Sequence, residues 1–73
     1  MPFITYTTVE GALSNEQKQA LSAALTDAVT NTLGKKLKPN VWVTLNEVPE
    51  GNFTIGKHTL TAEMLKQQMD TEQ

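Results

Sequence analysis

Residues 14–33 run Ser14-Asn15-Glu16-Gln17-Lys18-Gln19-Ala20-Leu21-Ser22-Ala23-Ala24-Leu25-Thr26-Asp27-Ala28-Val29-Thr30-Asn31-Thr32-Leu33, and they read as one helix. Ser14 to Gln17 has the form of a capping box. The Ser14 hydroxyl accepts from the Gln17 amide, and the Gln17 side chain reaches back. Behind it, Ala20, Leu21, Ala24, Leu25, Ala28, Val29 and Leu33 recur at helical spacing and predict the apolar face. Lys18, Gln19, Ser22, Thr26, Asp27 and Thr30 fall on the expected polar face. Gly34 stands where a helix-ending glycine belongs, and Lys35, Lys36 and Lys38 follow near the negative helix end. The helix expected over 15–33 is about five turns long.

Both flanks read as strands. Residues 3–9, from Phe3 to Val9, are rich in β-branched and aromatic types. Glu10 to Leu13 turns the chain. After Pro39 and Asn40, residues 41–48 alternate, with Val41, Val43 and Leu45 on one face and Trp42, Thr44 and Asn46 on the other. Strand, long helix and strand predict a right-handed β-α-β unit with parallel strands. Pro49 to Asn52 signals a turn, and Phe53-Thr54-Ile55 is expected as a short third strand stopped by Gly56. Residues 59–69 are expected as a short helix capped by Thr61, and the last four residues are expected to fray.

The chain has 73 residues, no cysteine, one histidine and a net charge of -2. That is one domain, expected to span 1–73. A domain of this size buries only about 60% of its unfolded surface. Disulfides and thiolate zinc sites are excluded, and His58 alone builds no metal site. Self-association is the remaining way to complete a core, because one helix covers only one face of a parallel sheet. A two-fold dimer is the commonest closed unit. The charge argues against nucleic acid as a partner. No apolar run approaches the roughly 20 residues of a membrane span, and Met1 to Thr8 does not read as a signal peptide. A soluble, cytoplasmic protein is the expectation. All six cationic side chains are lysines, and there is no arginine.

Phosphate loops, nucleophile elbows and metal-protease motifs are absent, and Gly11, Gly34, Gly51 and Gly56 are isolated. The position with unusual chemical potential is Pro2. Methionine ahead of a small residue is normally trimmed, which leaves proline with a free secondary amine. Burial among apolar groups disfavours a charged amine and makes it a better base, and Phe3, Ile4, Trp42 and Phe53 are the residues expected to supply such surroundings. The competing reading is that the Met-Pro start has no catalytic meaning.

Pro2 leading into strand 3–9, then Val9-Glu10-Gly11, Asn15-Glu16-Gln17-Lys18, Val41-Trp42-Val43, Glu47-Val48 and Asn52-Phe53-Thr54-Ile55-Gly56-Lys57 form an ordered set over residues 2–58. The set resembles the tautomerase superfamily, specifically its short 4-oxalocrotonate tautomerase-like subunits. The resemblance implies an α+β fold, β-α-β with a C-terminal hairpin, completed by oligomerisation. It implies homodimers building to trimers or hexamers, and an N-terminal proline acting as general base on a small enol or 2-oxo acid. It implies no cofactor and no metal.

Two positions depart from the family pattern. Arginines that grip a dicarboxylate in the best-known members are replaced here by Ala12 and Trp42, and neither makes a bidentate clamp. The family's aromatic wall matches Phe53. Lys57 is either a point-charge substitute or an exposed solubilising lysine. Trp42 walls a pocket, packs against another subunit, or does both. Tyr6 is a hydrogen-bond donor to an enolate or a core residue, and His58 is expected at the surface. A catalytically weak oligomeric scaffold of the same fold is the alternative function.

Overall fold

The computed structural model describes residues 1–71. Strand β1 spans Phe3–Val9 and helix α1 spans Asn15–Leu33. A 3-10 helix over Lys35–Asn40 leads into strand β2, Trp42–Val48. Strands β3, Thr54–Ile55, and β4, His58–Thr59, form a hairpin, and helix α2 spans Ala62–Thr71. The architecture is α+β: a β-α-β unit followed by a C-terminal hairpin and a second helix.

β1 and β2 pair in parallel, in a register that sets Phe3 opposite Trp42 and Val9 opposite Val48. The hairpin is a separate antiparallel pair, Thr54 with Thr59 and Ile55 with His58. Both members of the capping box are made. Gln17 N–H donates to the Ser14 hydroxyl at 3.1 Å, and Ser14 N–H donates to Gln17 Oε1 at 2.8 Å. Gly34 ends α1 at a positive φ of 143°, its N–H donating to the Thr30 carbonyl at 3.0 Å.

Several expectations are corrected. The packed side of α1 keeps Leu21, Leu25 and Val29 of the expected face but not its alanines or Leu33. Ala20, Ala24, Ala28 and Leu33 are exposed, whereas Leu21, Ser22, Leu25, Thr26 and Val29 are half-buried and Thr30 is buried. The polar members bury at low cost because the helix satisfies them. Thr26 Oγ1 donates to the Ser22 carbonyl at 2.9 Å and Thr30 Oγ1 to the Asp27 carbonyl at 3.3 Å. Phe53 is a loop residue rather than part of the third strand. The second helix begins at Ala62 rather than at residue 59, because the Leu60 N–H donates to the Phe53 carbonyl at 2.8 Å and closes the hairpin. Of the four residues expected to fray, 70 and 71 continue α2, and 72 and 73 lie outside the described residues.

The core of the chain is thin. Among the described residues, Val9 and Ala12 are the buried apolar ones, joined by Thr8 and Thr30. The accessible surface is 5561 Å², against about 4,450 Å² for a folded monomer of this mass. The radius of gyration is 14.4 Å, where about 11 Å suits a closed domain of this length. β2 shows why: Val43, Leu45 and Glu47 are shielded, while Trp42, Thr44 and Asn46 are exposed. Phe3, Thr5 and Thr7 of β1 continue the bare face.

Candidate active site at the head of the parallel strands

Pro2 sits immediately before β1 and is half-buried. Its carbonyl accepts the backbone N–H of Trp42 at 3.0 Å, so the strand ladder itself fixes Pro2 beside the start of β2. One residue on, the rings of Phe3 and Trp42 meet edge to face, with centroids 5.3 Å apart and planes at 66°. Edge-to-face geometry is the favoured arrangement for such a pair. Both rings remain largely open, at 68% and 54% exposure. Met1 is also exposed, so the Met1–Pro2 bond is within reach of a processing enzyme.

Pro2, Phe3 and Trp42 are thus brought together, and the other singled-out residues lie elsewhere in the subunit. Phe53 is half-buried ahead of the hairpin, and Lys57 is exposed in its turn beside Gly56, whose φ is 61°. No hydrogen bond or ring contact joins either to Pro2 or Trp42 among the described residues. Tyr6 lies four residues along β1, about 13 Å of extended chain from Pro2, and on the opposite face from Phe3. His58 is exposed, as expected. No group of three or more metal-ligating side chains occurs among the described residues.

The second polar feature supports the scaffold. Lys18 Nζ of α1 donates to Glu47 Oε1 of β2 at 2.6 Å, with each side chain about a quarter exposed, at 28% and 27%. This hydrogen bond holds the Glu47 carboxyl below the usual carboxylate range. Partial desolvation opposes it, while the Lys18 charge and the Gly11 N–H add to the lowering. Gly11 adopts a φ of 89°, which lets the turn after β1 present its amide to Glu47.

A parallel strand pair joined by one long helix, followed by a hairpin and headed by a proline, is the architecture of the short 4-oxalocrotonate tautomerase-like subunits. The crystal structure of DmpI from Helicobacter pylori is similar, with a TM-score of 0.69 and 33% identity, over 80% of this chain and 94% of that one. A heterohexamer 4-oxalocrotonate tautomerase from Chloroflexus aurantiacus gives a TM-score of 0.71 and 30% identity, over 81% and 92%. A probable tautomerase of Streptococcus pyogenes is 40% identical over 53 residues, which is 73% of this chain and 84% of that protein. Residues 2–63 match the family model of the tautomerase enzymes, and the chain belongs to that family.

Proposed function

We propose that the chain is a cofactor-independent tautomerase in which Pro2, freed of Met1, is the general base acting on a small enol or 2-oxo acid. The observation that carries this reading is the fixed position of Pro2. It is pinned through its carbonyl to Trp42, next to an aromatic pair, and preceded by an exposed methionine.

The chemistry balances without a metal or cofactor. The neutral Pro2 amine takes the enol O–H proton and leaves an enolate, whose oxygen pair becomes the carbonyl π bond only as the C=C pair is protonated. The C=C pair then takes the proton back from the ammonium onto carbon. The amine is regenerated, and one proton has moved from oxygen to carbon. Positioned proton transfer of this kind contributes about 10²–10⁴-fold.

Trp42 and Phe53 are the apolar walls in this reading, and Lys57 is the candidate point charge for a carboxylate. The whole chain acts as one tautomerase-like domain in the cytoplasm, as homodimers building to a trimer or hexamer. The thin core and the bare Phe3–Trp42 face support association, since covering that face removes two large aromatic side chains from water. Assembly also gives the hairpin, with Phe53 and Lys57, a route to a neighbouring Pro2. The absence of arginine favours a substrate of one carboxylate or none. The same absence is what favours the alternative, an inactive scaffold of this fold.

Ketonisation of the enol of phenylpyruvate tests the proposal. Pro2→Ala is expected to slow it at least about a hundredfold. Equal rates for the variant and the parent refute general-base catalysis by Pro2.

A further inference from the structure

The charges of the chain are sorted along the sheet. Because β1 and β2 are parallel, α1 runs back against them, and its C-terminal end returns to the head of the strands, where Pro2 lies. The 3-10 helix over Lys35–Asn40 starts from that end and delivers the chain to β2 at Trp42. It carries Lys35, Lys36 and Lys38, half of the chain's six cations, and all three are exposed. Lys18–Glu47 is the one ion pair among the described residues, so none of the three has an acidic partner there.

The glutamates gather at the opposite end. Glu10 follows β1, its N–H donating to the Val48 carbonyl at 2.8 Å. Glu47 is near the end of β2, and Glu16 is in the first turn of α1. Glu50 accepts from the Ala62 N–H, Glu63 is the next residue of α2, and Ala62 packs against Gly11 just past β1. Asp27 of α1 lies about 9 Å along the helix from its C-terminal end. The chain as a whole, at a net charge of -2, repels an anion, yet its Pro2 end is positive. The helix dipole does not account for the lysines. Its effect falls off within the last turn, and the last turn of α1 holds no basic residue.

We propose that Lys35, Lys36 and Lys38 form an electrostatic guide that draws an anionic enol to Pro2 and so selects a substrate with a carboxylate over a neutral one. This guide rests on the reading of Pro2 as the base, and it narrows the substrate from one carboxylate or none to one. Chain reach sets the scale. Four residues separate Lys38 from Trp42, at most about 14 Å of chain, and the Trp42 N–H is bonded to Pro2. The three lysines fall within one turn of 3-10 helix, about 6 Å along its axis. Fields of exposed charges carry about 10 Å at 0.1 M salt and about 30 Å at 0.01 M, so the cluster acts on Pro2 at low salt. A lysine is a flexible point charge and attracts a carboxylate without the fixed fork of an arginine. Regions of one sign raise the local concentration of an oppositely charged substrate about 10–10³-fold. The guide touches no reacting atom, so its effect falls on KM.

The test compares ketonisation of the enol of phenylpyruvate with that of its methyl ester, which keeps the ring and loses the charge. For the parent, kcat/KM for the acid relative to the ester is expected to fall about tenfold between about 0.01 M and about 0.1 M salt. With Lys35→Gln, Lys36→Gln and Lys38→Gln combined, that ratio is expected to be about tenfold lower at low salt and nearly independent of salt, the loss lying in KM. Arginine at all three positions keeps the charge and is expected to restore the parent ratio. A salt-independent ratio in the parent overturns the proposal, as does a triple glutamine variant with the parent's ratio. A second readout needs no turnover. Trp42 is the chain's single tryptophan, and at low ionic strength iodide is expected to quench its fluorescence at least about twofold more efficiently in the parent than in the triple glutamine variant. Neutral acrylamide is expected to quench both equally. Equal iodide quenching with and without the lysines overturns the guide. Pro2→Ala keeps the two claims apart: a variant as active as the parent refutes the base, and the iodide comparison made on that variant still decides the guide.

Discussion

The Trp42 backbone N–H donates to the Pro2 carbonyl at 3.0 Å, which makes the first rung of the parallel ladder also the anchor of the proposed base. The register then sets Phe3 against Trp42 one residue on. Strand pairing and site geometry are therefore the same set of contacts at this end of the sheet.

The Phe3–Trp42 ring pair is expected to couple stability and turnover. In a double-mutant cycle with Phe3→Ala and Trp42→Ala, urea unfolding is expected to give a coupling of about 0.5–1.5 kcal/mol. Trp42→Ala is also expected to lower kcat/KM for an aromatic enol about tenfold, by a lost apolar wall. Trp42→Phe is expected to recover most of that loss.

The Lys18–Glu47 pair predicts an acid-sensitive fold. Glu47 has a folded pKa below its unfolded one. Its contribution to stability is complete above the unfolded value and disappears as pH falls through the folded value. Thermal unfolding followed from pH 7 to pH 3 is expected to show a smaller drop in Tm for Glu47→Gln than for the parent. Parallel curves for the two proteins count against the pair.

Removing the cap of α1 is expected to cost about 1 kcal/mol in Ser14→Ala, read from the denaturant midpoint at unchanged slope. The Gln17 N–H loses its partner at 3.1 Å, and the Gln17 side chain loses the geometry that directs it to the Ser14 amide.

Helix α2 hangs on a contact distant in sequence. The Ala62 N–H donates to Glu50 Oε2 at 2.6 Å, and the Met64 N–H donates to Thr61 Oγ1 at 3.2 Å. Glu50→Ala is expected to speed amide hydrogen exchange across residues 62–69 and leave α1 unchanged. Equal protection in both proteins contradicts a role for Glu50 in holding α2.

Local signals made β1, α1 and β2 legible, because each is encoded within its own segment. Ser14 and Gln17 mark the start of α1, Gly34 marks its end, and β2 alternates cleanly. The face of α1 is legible at Leu21, Leu25 and Val29 but not at its alanines, because alanine counts as apolar in a periodicity yet has little surface to bury. Thr26 and Thr30, scored as polar, bond their own helix and turn inward. The start of α2 depends on where the Leu60 amide finds its partner, which is a tertiary fact. At the candidate site, Pro2 is visible as a residue with special chemistry. Its pairing with Trp42 depends on a register fixed across 40 residues of chain, which no local pattern specifies.

The central claim is that a free Pro2 amine does the chemistry. The most direct test compares two preparations of the same chain, one retaining Met1 and one beginning at Pro2, each verified by intact mass. Ketonisation of phenylpyruvate enol is expected to rise in proportion to the fraction of chains beginning at Pro2, with the Met1-retaining protein at the uncatalysed rate. Equal catalysis by the Met1-retaining protein, whose Pro2 nitrogen is an amide, contradicts the account.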